Sequence, residues 1–418
     1  MKIVIIGGGF AGINLVRHLS NKPGVEIILV DKNNYHFFPP LIYQVATCFL
    51  EASSISYPFR MFMHKIKNLR FRLGTLSKIY PLEKKVLLTT GEISYDYLVL
   101  ASGTVTNFFD MKNVQENAIP MKTLDDAMSM RNILLQRLER ATVTTDELEK
   151  EKLTTVVVVG GGPTGVEISG MFAEMRNSIL RNDYPELEGI KTEIYLVDGG
   201  EALLSPMSEQ SQQYTYETLR KMGVRIKLKS RVSDFVDGQV MFKDGNQISS
   251  YNLIWAAGIT SQKFEGIPAE SYGRGNRLLV NEFNEVSGMS SVYAIGDTCI
   301  QTSDPAFPEG HPQVAQVALQ QGINLADNFL KVLNNNSLKS FRYKDKGSMA
   351  IIGKSKAVAD LPKPNVHFKG FLAWAAWLFI HLLSLIHYRN RIKTLYNWFI
   401  AYLKNDQSLR MIFRPKNY

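Results

Sequence analysis

The sequence contains little cysteine: Cys48 and Cys299 are its two cysteines in 418 residues. Two cysteines exclude a disulfide scaffold, and the absence of a Cys-x-x-Cys pair excludes the redox and zinc motifs built on that spacing. Apolar residues make up 45% and charged residues 21% of the chain, which excludes a wholly disordered or fibrous protein. The length and composition predict a globular protein of two or three domains.

Long apolar runs are also missing before residue 370, and acidic residues are scarce after it. Met1–Ile6 is too short for the core of a signal peptide, so we expect a protein that stays in the cytoplasm. The net charge is +9, and the segment from Val366 onwards carries eight basic residues against Asp406 alone, a net +7. With no basic patch on a nucleic-acid module, this tail favours an anionic membrane surface over nucleic acid as its partner.

A nucleotide-binding turn follows the first predicted strand, Ile3–Ile6. The run Gly7-Gly8-Gly9-Phe10-Ala11-Gly12 has Gly-x-Gly-x-x-Gly spacing and precedes a predicted helix, Ile13–Leu19. The first glycine permits the turn, the second lets the backbone approach a pyrophosphate, and the third lets the helix pack on the strand. A second strand, Val25–Val30, ends in Asp31, where a carboxylate accepts hydrogen bonds from a ribose. This pattern predicts a dinucleotide site.

The same pattern recurs after a second apolar strand, Val156–Val159. The run Gly160-Gly161-Gly162-Pro163-Thr164-Gly165 precedes the predicted helix Val166–Met175, which we expect to continue through residues 176–189. The next strand ends in Asp198. Two glycines and no adjacent Arg follow this acid, which favours a free ribose hydroxyl and therefore NADH over NADPH.

Three further predicted strands end in small or acidic residues, where a cofactor can cross the carboxyl edge of a parallel sheet. These residues are Ala101, Gly103, Ala257, Gly258 and Asp297. Two complete nucleotide cradles in one chain indicate one for FAD and one for NADH. We therefore predict an α/β fold with two Rossmann-like domains: an FAD-binding domain of residues 1–115 and 288–365, interrupted by an NADH-binding domain of residues 116–287. Residues 366–418 are predicted to form C-terminal helices.

The C-terminal region begins with eighteen uncharged residues, Phe371–Tyr388, which is the lower limit for a helix that spans a bilayer. One helical stripe there carries Gly370, Trp374, Trp377, His381, Ser384 and Tyr388, and large apolar residues fill the other side. A second amphipathic helix is predicted on Ile392, Leu395, Tyr396, Phe399, Tyr402 and Leu403. The pattern favours peripheral docking on a membrane. A packing or dimerisation helix and a spanning helix are the alternatives.

The chain resembles the two-dinucleotide-fold flavin oxidoreductases and, more narrowly, the type II NADH:quinone oxidoreductases. The resemblance rests on Asn34–Phe37 with Pro40–Thr47, on Gly162–Glu167, and on Pro312–Gln320 with its Ala-Gln-x-x-x-Gln core. It covers essentially the whole chain. It implies oxidation of NADH through non-covalently bound FAD and reduction of a quinone (menaquinone or ubiquinone) without proton pumping. It also implies a peripheral homodimer on the cytoplasmic face of the cell membrane.

The resemblance implies roles for individual residues. Glu167 is expected near the nicotinamide and the flavin, and Gln316 and Gln320 at the quinone pocket; these three are the predicted catalytic residues. The residues predicted to contact FAD are Gly7, Gly9, Phe10, Ala11, Gly12, Asp31, Lys32, Thr47, Ala101, Gly103, Asp297, Ala315, Gln316 and Lys369. Those predicted to contact NADH are Gly160, Gly162, Pro163, Thr164, Gly165, Glu167, Asp198, Ala257 and Gly258. No metal site is predicted.

Three alternatives stay open at this point. A sulfide:quinone oxidoreductase shares the fold and needs cysteines to carry sulfur; Cys48 stands where the resembling family usually has Gly, and Cys299 is its sole possible partner. A soluble ferredoxin or rubredoxin reductase has no need of the apolar tail. A non-catalytic NADH-sensing flavoprotein would bind both cofactors without reducing quinone.

Overall fold

The computed structural model describes residues 1–177, 181–362, 365–404 and 409–413. Packing groups them into two compact units. The first contains Met1–Phe37, Tyr57–Val105 and Ile259–Asp345, and the second contains Phe38–Ser56, Thr106–Gly258 and Lys346–Tyr418. The two units are defined by contacts between residues. The predicted boundaries at 115/116, 287/288 and 365/366 instead divide the chain by the cofactor that each part is expected to bind. Those boundaries therefore stay a prediction.

The α-helices of the described chain are α1 (Phe10–Leu19), α2 (Ile42–Ala46), α3 (Ala52–Ile55), α4 (Phe59–Phe62), α5 (Lys112–Asn117), α6 (Leu124–Val143), α7 (Glu147–Thr154), α8 (Pro163–Met175), α9 (Arg181–Asp183), α10 (Glu209–Lys221), α11 (Ala315–Leu333), α12 (Phe371–Ser384) and α13 (Tyr388–Lys404).

The strands are β1 (Lys2–Ile6), β2 (Glu26–Asp31), β3 (Tyr35–Phe37), β4 (Ser56–Pro58), β5 (Leu69–Leu73), β6 (Leu76–Tyr80), β7 (Lys85–Leu88), β8 (Gly91–Ser94), β9 (Tyr97–Leu100), β10 (Val105–Thr106), β11 (Ile119–Pro120), β12 (Val156–Val159), β13 (Ile194–Val197), β14 (Val224–Lys227), β15 (Val232–Val236), β16 (Gln239–Phe242), β17 (Gln247–Ser249), β18 (Asn252–Trp255), β19 (Ile259–Thr260), β20 (Leu278–Val280), β21 (Val292–Ala294), β22 (Cys299–Gln301), β23 (Ser348–Gly353), β24 (Lys356–Pro362) and β25 (Asn365–Lys369).

The first unit is built on a parallel sheet with the strand order β21-β9-β1-β2-β5. The β1 strand is a continuous apolar run buried on both faces, as a central parallel strand must be. Ile6 pairs with Val30 on one side and Leu100 on the other, so these strands end at the same edge. Helices α1 and α11 pack together, and a Cβ at Gly322 would lie 2.6 Å from the carbonyl oxygen of Ala11. Glycine is therefore required for this close approach.

The second unit repeats the parallel design with the order β11-β18-β12-β13-β14. Val159 pairs with both Val197 and Trp255, which again brings the strand ends to one edge. An antiparallel sheet, β23-β24-β25, packs against α8 and α12 in the same unit. A Cβ at Gly170 of α8 would lie 1.7 Å from the carbonyl oxygen of Ile352, so α8 lies directly on β23.

The prediction that the helix Val166–Met175 continues through residues 176–189 is wrong. Helix α8 ends at Met175 and is followed by a π-helical pair at 176–177; beyond residues 178–180, which lie outside the described chain, come the short helix α9 and a 3₁₀ turn at Pro185–Leu187. Pro185 has no amide hydrogen and restricts the residue before it, so a regular helix cannot run through this position.

The apolar stretch 371–388 is not helical throughout: α12 covers residues 371–384, and α13 begins only at Tyr388. Helix α12 ends at Ser384 because Leu385 adopts an extended backbone, with ψ of 137°, and turns its side chain into the protein. The guanidinium of Arg391 then donates to the Leu385 carbonyl at 3.1 Å. Across residues 1–177, 181–362, 365–404 and 409–413, no helix has both the length and the apolar character that crossing a bilayer requires.

Candidate functional site

The first nucleotide cradle lies at the carboxyl end of β1. Gly7 has φ of +107°, and a Cβ there would lie 2.3 Å from the carbonyl oxygen of Ala101. At Gly12 a Cβ would lie 1.9 Å from the carbonyl oxygen of Gly7. Asp31 accepts the N–H of Gly8 at 2.7 Å, which ties the end of β2 to the turn. The predicted strand, turn, helix and acid are therefore all present in the expected arrangement.

Gly9 provides the test of whether a nucleotide fits this cradle. It precedes the first residue of α1 with φ of −71°, a conformation open to any residue, and a Cβ there would meet no protein atom within 4 Å. The fold itself therefore does not require glycine at this position. An open face at a helix N-terminus is where a pyrophosphate approaches the backbone. The cradle fits the diphosphate of FAD.

Asp31 is held in a polar but largely buried setting. Burial raises the pKa of its carboxyl, and the N–H groups of Asn33 and Gly8 and the charge of Lys32 partly oppose this shift. Both carboxylate oxygens already accept one backbone N–H each. Lone pairs remain for ribose hydroxyls, so the predicted role fits this geometry. Lys32 is exposed beside it.

The predicted residues Gly103 and Asp297 come together through a residue that sequence reasoning missed. The N–H of Gly103 donates to Thr298 Oγ1 at 2.9 Å, which joins the end of β9 to the turn after β21. The Asp297 carbonyl accepts from Ser261 Oγ and Gln313 Nε2, each at 3.0 Å. Asp297 and Gly103 thus lie at the same sheet edge as the Gly7–Gly12 turn. No local signal marks the partners of Asp297, because they come from distant parts of the chain.

Helix α11 begins at Ala315 and carries both predicted glutamines in its first two turns. Gln316 is half-buried, and its Oε1 accepts from the hydroxyl of Tyr343 at 3.5 Å. Gln320 instead forms a reciprocal pair with the backbone of Lys344: its Nε2 donates at 2.9 Å and its Oε1 accepts at 3.0 Å. Gln320 is thus bonded to the backbone through both of its amide atoms, and the contact of either glutamine with a quinone stays a prediction.

The second cradle repeats this geometry in the second unit. Gly160 has φ of +119°, and a Cβ at Gly165 would lie 1.8 Å from the Gly160 carbonyl oxygen. Gly162 has φ of −73° and open space around its missing Cβ, followed by Pro163 at the first position of α8. Asp198 accepts the N–H of Gly161 at 2.5 Å and that of Gly200 at 2.6 Å. The pyrophosphate and ribose of NADH fit here as FAD fits the first cradle.

The other residues predicted for NADH lie around this cradle. Thr164 is in the first turn of α8, and Ala257 and Gly258 follow the end of β18, the neighbour of β12. The Gly258 carbonyl accepts the N–H of Asn107 at 3.0 Å.

No arginine is adjacent to Asp198 in the sequence, but Arg231 lies beside the next residue, Gly199. A Cβ at Gly199 would lie 3.0 Å from Cγ and 3.2 Å from Nε of Arg231, which reaches this position from the start of β15. Sequence distance hides this approach. The carboxylate of Asp198 still disfavours a 2′-phosphate, and Arg231 provides a cation beside it.

Glu167 is buried within the second unit, with 8% of the residue exposed. Burial raises the pKa of its carboxyl well above the ordinary value, and the N–H of Ile351, 3.5 Å from Oε1, opposes this only partly. The shift favours the protonated form, which can donate a proton or a hydrogen bond. Glu167 therefore has the properties expected of a residue at a redox site.

The two remaining predicted flavin contacts, Thr47 and Lys369, also belong to the second unit. Thr47 is fully buried at the end of α2, which packs on α8, and its hydroxyl donates to the Tyr43 carbonyl at 2.8 Å. Lys369 ends β25 with its Nζ 5.7 Å from the ring centre of Tyr214. Their contact with flavin stays a prediction.

His36 lies beside the first cradle and was not predicted as a site residue. Its Nδ1 is 2.9 Å from the Gly8 carbonyl, and its ring packs on Phe10 with 5.9 Å between centres. Burial lowers its pKa to about 4. The neutral ring therefore supports the turn and carries no charge toward the nucleotide.

The two cradles define a pyridine-nucleotide oxidoreductase with two dinucleotide folds in one chain. The family model for pyridine nucleotide-disulphide oxidoreductases matches residues 1–322, and that for the NDH2 C-terminal domain matches residues 346–411. The NDH2 of Plasmodium falciparum, solved in complex with NADH, has a TM-score of 0.89 at 22% identity, with 99% of both chains covered. The sulfide:quinone oxidoreductase of Aquifex aeolicus has a TM-score of 0.73 at 17% identity, covering 96% of this chain and 95% of its own. Both likenesses concern the fold alone.

Sequence similarity to characterised proteins identifies the family. A type II NADH:quinone oxidoreductase of Mycobacterium tuberculosis is 34% identical over 96% of this chain and 87% of its own. That of Haemophilus influenzae is 29% identical over 86% of each. The chain belongs to the type II NADH:quinone oxidoreductases. This confirms the predicted family, the α/β fold, the enzyme class and the cofactor pair FAD and NADH.

Proposed function

We propose that this enzyme oxidises NADH through FAD held non-covalently in the first cradle and reduces a membrane quinone without moving protons across the bilayer. The observation that carries the proposal is the pair of cradles. In each cradle one glycine, Gly9 or Gly162, has open space around it and is not required by the fold. When bound, FAD supplies the two-electron chemistry, accepting a hydride from NADH and passing two electrons to the quinone. NADH, one proton and quinone are consumed, and NAD⁺ and quinol are formed.

The protein's own residues bind and orient NADH and the quinone and supply a proton to the quinone. The N-terminus of α8 holds the NADH pyrophosphate, and Asp198 orients the adenosine ribose. Gln316 is placed to hydrogen-bond a quinone carbonyl, and Glu167, whose buried carboxyl retains its proton, is a source of the proton that the quinone takes up. Lys369 adds a positive charge that favours reduced flavin.

The tail helices support delivery of electrons at a membrane surface. Helix α12 buries Ala373 and Trp377, and Trp374 and His381 of the predicted stripe are partly buried, whereas Ser384 and Tyr388 at its end are exposed. Its opposite side exposes large apolar side chains, and α13 does the same. The exposed residues are Phe371, Leu372, Phe379, Ile380, Leu383, Tyr388, Ile392, Leu395, Tyr396 and Phe399. An apolar surface of this kind, flanked by basic residues, suits an interfacial position on anionic lipid. We call it the docking surface.

An anaerobic titration tests the proposed reaction. NADH added to the purified holoenzyme should bleach the visible flavin band, and ubiquinone-1 added next should restore it. A flavin that NADH reduces but ubiquinone-1 does not reoxidise would refute the proposal and favour the NADH-sensing alternative. In proteoliposomes, turnover should proceed without acidifying or alkalising the lumen.

A matched pair of substitutions tests the docking surface. Leu372 of α12 is 68% exposed, and Leu148 of α7 is 70% exposed outside the docking surface. Leu372→Asp should weaken binding to vesicles containing phosphatidylglycerol about tenfold or more, because a charged side chain replaces an aliphatic one that would be buried in the lipid. Leu148→Asp should not. Equal loss of vesicle binding in the two variants would show that any exposed leucine contributes to lipid binding, and would contradict a specific docking surface.

The buried cysteines favour this function over sulfide oxidation. Burial raises the pKa of both the Cys48 and the Cys299 thiol to about 11. A thiol that carries sulfur must form the thiolate readily. We propose in addition that the enzyme docks on the cytoplasmic face of the membrane and is a homodimer. Light scattering of the detergent-solubilised holoenzyme tests the dimer, and accessibility of NADH in oriented membrane vesicles tests the face.

A further inference from the structure

Helix α13 has a second, buried face opposite the docking surface. Asn390 is 3% exposed, and its Nδ2 lies 3.1, 2.9 and 2.9 Å from the carbonyl oxygens of Ser53, Ser54 and Ser56. Thr394 donates to the Ser54 carbonyl as well. This face is therefore fixed to the segment that follows α2, with polar groups that water does not reach.

The strongest of these links joins α13 to α2 itself. Trp398 Nε1 donates to Gln44 Oε1 at 2.7 Å, and Gln44 Nε2 donates to the hydroxyl of Tyr43 at 3.0 Å. All three residues are at most 3% exposed. Polar groups buried this deeply depend on their protein partners, so removing one partner leaves the other unsatisfied.

The same residues shape the turn that ends in Thr47. The backbone N–H and the hydroxyl of Thr47 both donate to the Tyr43 carbonyl, at 3.0 and 2.8 Å. The Gln44 carbonyl accepts the N–H groups of Phe49 and Leu50. Gln44 is therefore bonded to α13 through its side chain and to the residues that follow Thr47 through its backbone. Helix α2 also packs on α8, which carries Glu167.

We propose that Trp398 is a positioning residue for the redox site, acting through Gln44 on the Tyr43–Thr47 turn. The helix that presents the docking surface would then also set the geometry beside the flavin. The inference rests on the proposed function and on the predicted contact of Thr47 with the flavin. It adds a residue that touches neither cofactor nor substrate.

Trp398→Phe tests this role, because it removes the indole N–H and keeps an aromatic ring beside Trp377, now 6.3 Å away between ring centres. The visible flavin band of the holoenzyme should shift, and kcat with ubiquinone-1 in detergent should fall about tenfold, as expected for a small displacement of a reacting group. The KM for NADH should not change, since the second cradle keeps its contacts. Trp374→Phe, the same change on α12, is the matched control and should alter neither the flavin band nor kcat.

A double substitution identifies the bond responsible. Gln44→Leu removes the acceptor, so the pair Gln44→Leu with Trp398→Phe should be no slower than the slower single variant. Effects that multiply would overturn the proposal, as would a Trp398→Phe enzyme that melts at a lower temperature but keeps its flavin band and kcat. If the parent enzyme fails to reduce ubiquinone-1, the proposed function fails, while the shift of the flavin band still decides the positioning role.

Discussion

Two Gly→Ala substitutions in the second cradle allow the stability of the fold and the binding of NADH to be tested separately. At Gly165, a Cβ would lie 1.8 Å from the carbonyl oxygen of Gly160. That carbonyl belongs to a turn fixed by the hydrogen bond from the Gly160 N–H to Val197, 2.8 Å long. At Gly162, the same methyl group meets no protein atom within 4 Å, and its φ of −73° suits alanine. The two positions should therefore respond in opposite ways.

The expected magnitudes follow from these distances. Gly165→Ala forces α8 away from the turn and should lower the free energy of unfolding by about 3 kcal/mol, the upper range for overpacking. Gly162→Ala should stabilise the apoprotein by about 0.5 kcal/mol, because alanine restricts the unfolded chain more than glycine does. It should weaken NADH binding by about 2 kcal/mol, or roughly thirtyfold, through loss of one charge-assisted N–H contact to the pyrophosphate.

Thermal unfolding of the apoprotein and the KM for NADH measure the two effects independently. Gly9→Ala and Gly12→Ala form the equivalent pair in the first cradle, with the ratio of bound flavin to protein as the readout. A Gly162→Ala protein that melts well below its parent would contradict the conclusion that this position has room for a methyl group. Unchanged binding of NADH would refute the assignment of the pyrophosphate to it.

Three further predictions concern single side chains. Asp198→Asn should raise the KM for NADH about tenfold and improve the use of NADPH, because it removes the charge that repels a 2′-phosphate and leaves Arg231 beside it; an unchanged ratio of the two nucleotides would contradict this. His36 has its pKa lowered to about 4 from 6.5, so the unfolded chain binds more protons between these values, and the free energy of unfolding should fall by about 3 kcal/mol as the pH drops from 6.5 to 4. In His36→Gln that fall, measured by denaturant unfolding, should be smaller. Cys48→Ala should keep full NADH:quinone turnover, and neither Cys48 nor Cys299 should react with DTNB before unfolding, whereas a sulfide:quinone oxidoreductase would lose activity.

Both cradles could be predicted from sequence because every part of the signal is local. A strand, three glycines at fixed spacing and a helix occupy 18 residues in the first cradle, Lys2–Leu19, and 20 in the second, Val156–Met175. Parallel pairing then brings the acid to the same edge. The partners of these parts are not local. Thr298 joins two strand ends, and Arg231 reaches Gly199 across a loop. No periodicity or motif specifies either contact, since each depends on how the sheets are assembled.

The tail shows the same division between pattern and packing. Its amphipathic character is visible in the sequence, and the exposed apolar side of α12 and α13 agrees with it. The break at Leu385 is not visible, because this run of uncharged residues contains no glycine or proline that would signal a helix end. The break is accompanied by the burial of Leu385 and by the hydrogen bond from Arg391 to its carbonyl. The hydrogen bond from Trp398 to Gln44 spans more than 350 positions and lies equally beyond pattern reasoning.

Helix α8 shows why the chemistry of Glu167 depends on the C-terminal region. Glu167, Gly170 and Glu174 lie on one face of the helix, and Gly170 lets that face rest on the backbone of β23. β23 is an edge strand; its N–H at Ile351 donates to Glu167, and the N–H of Lys354, the residue after the strand, donates to Glu174. The helix thus covers an edge that would otherwise be open to pairing with another chain. The cover also excludes water from Glu167, which raises the pKa of its carboxyl. The raised pKa of Glu167, on which its proposed role in quinone reduction depends, is therefore set by a sheet some 180 residues further along the chain, and a change that opens the contact between α8 and β23 to water should lower this pKa.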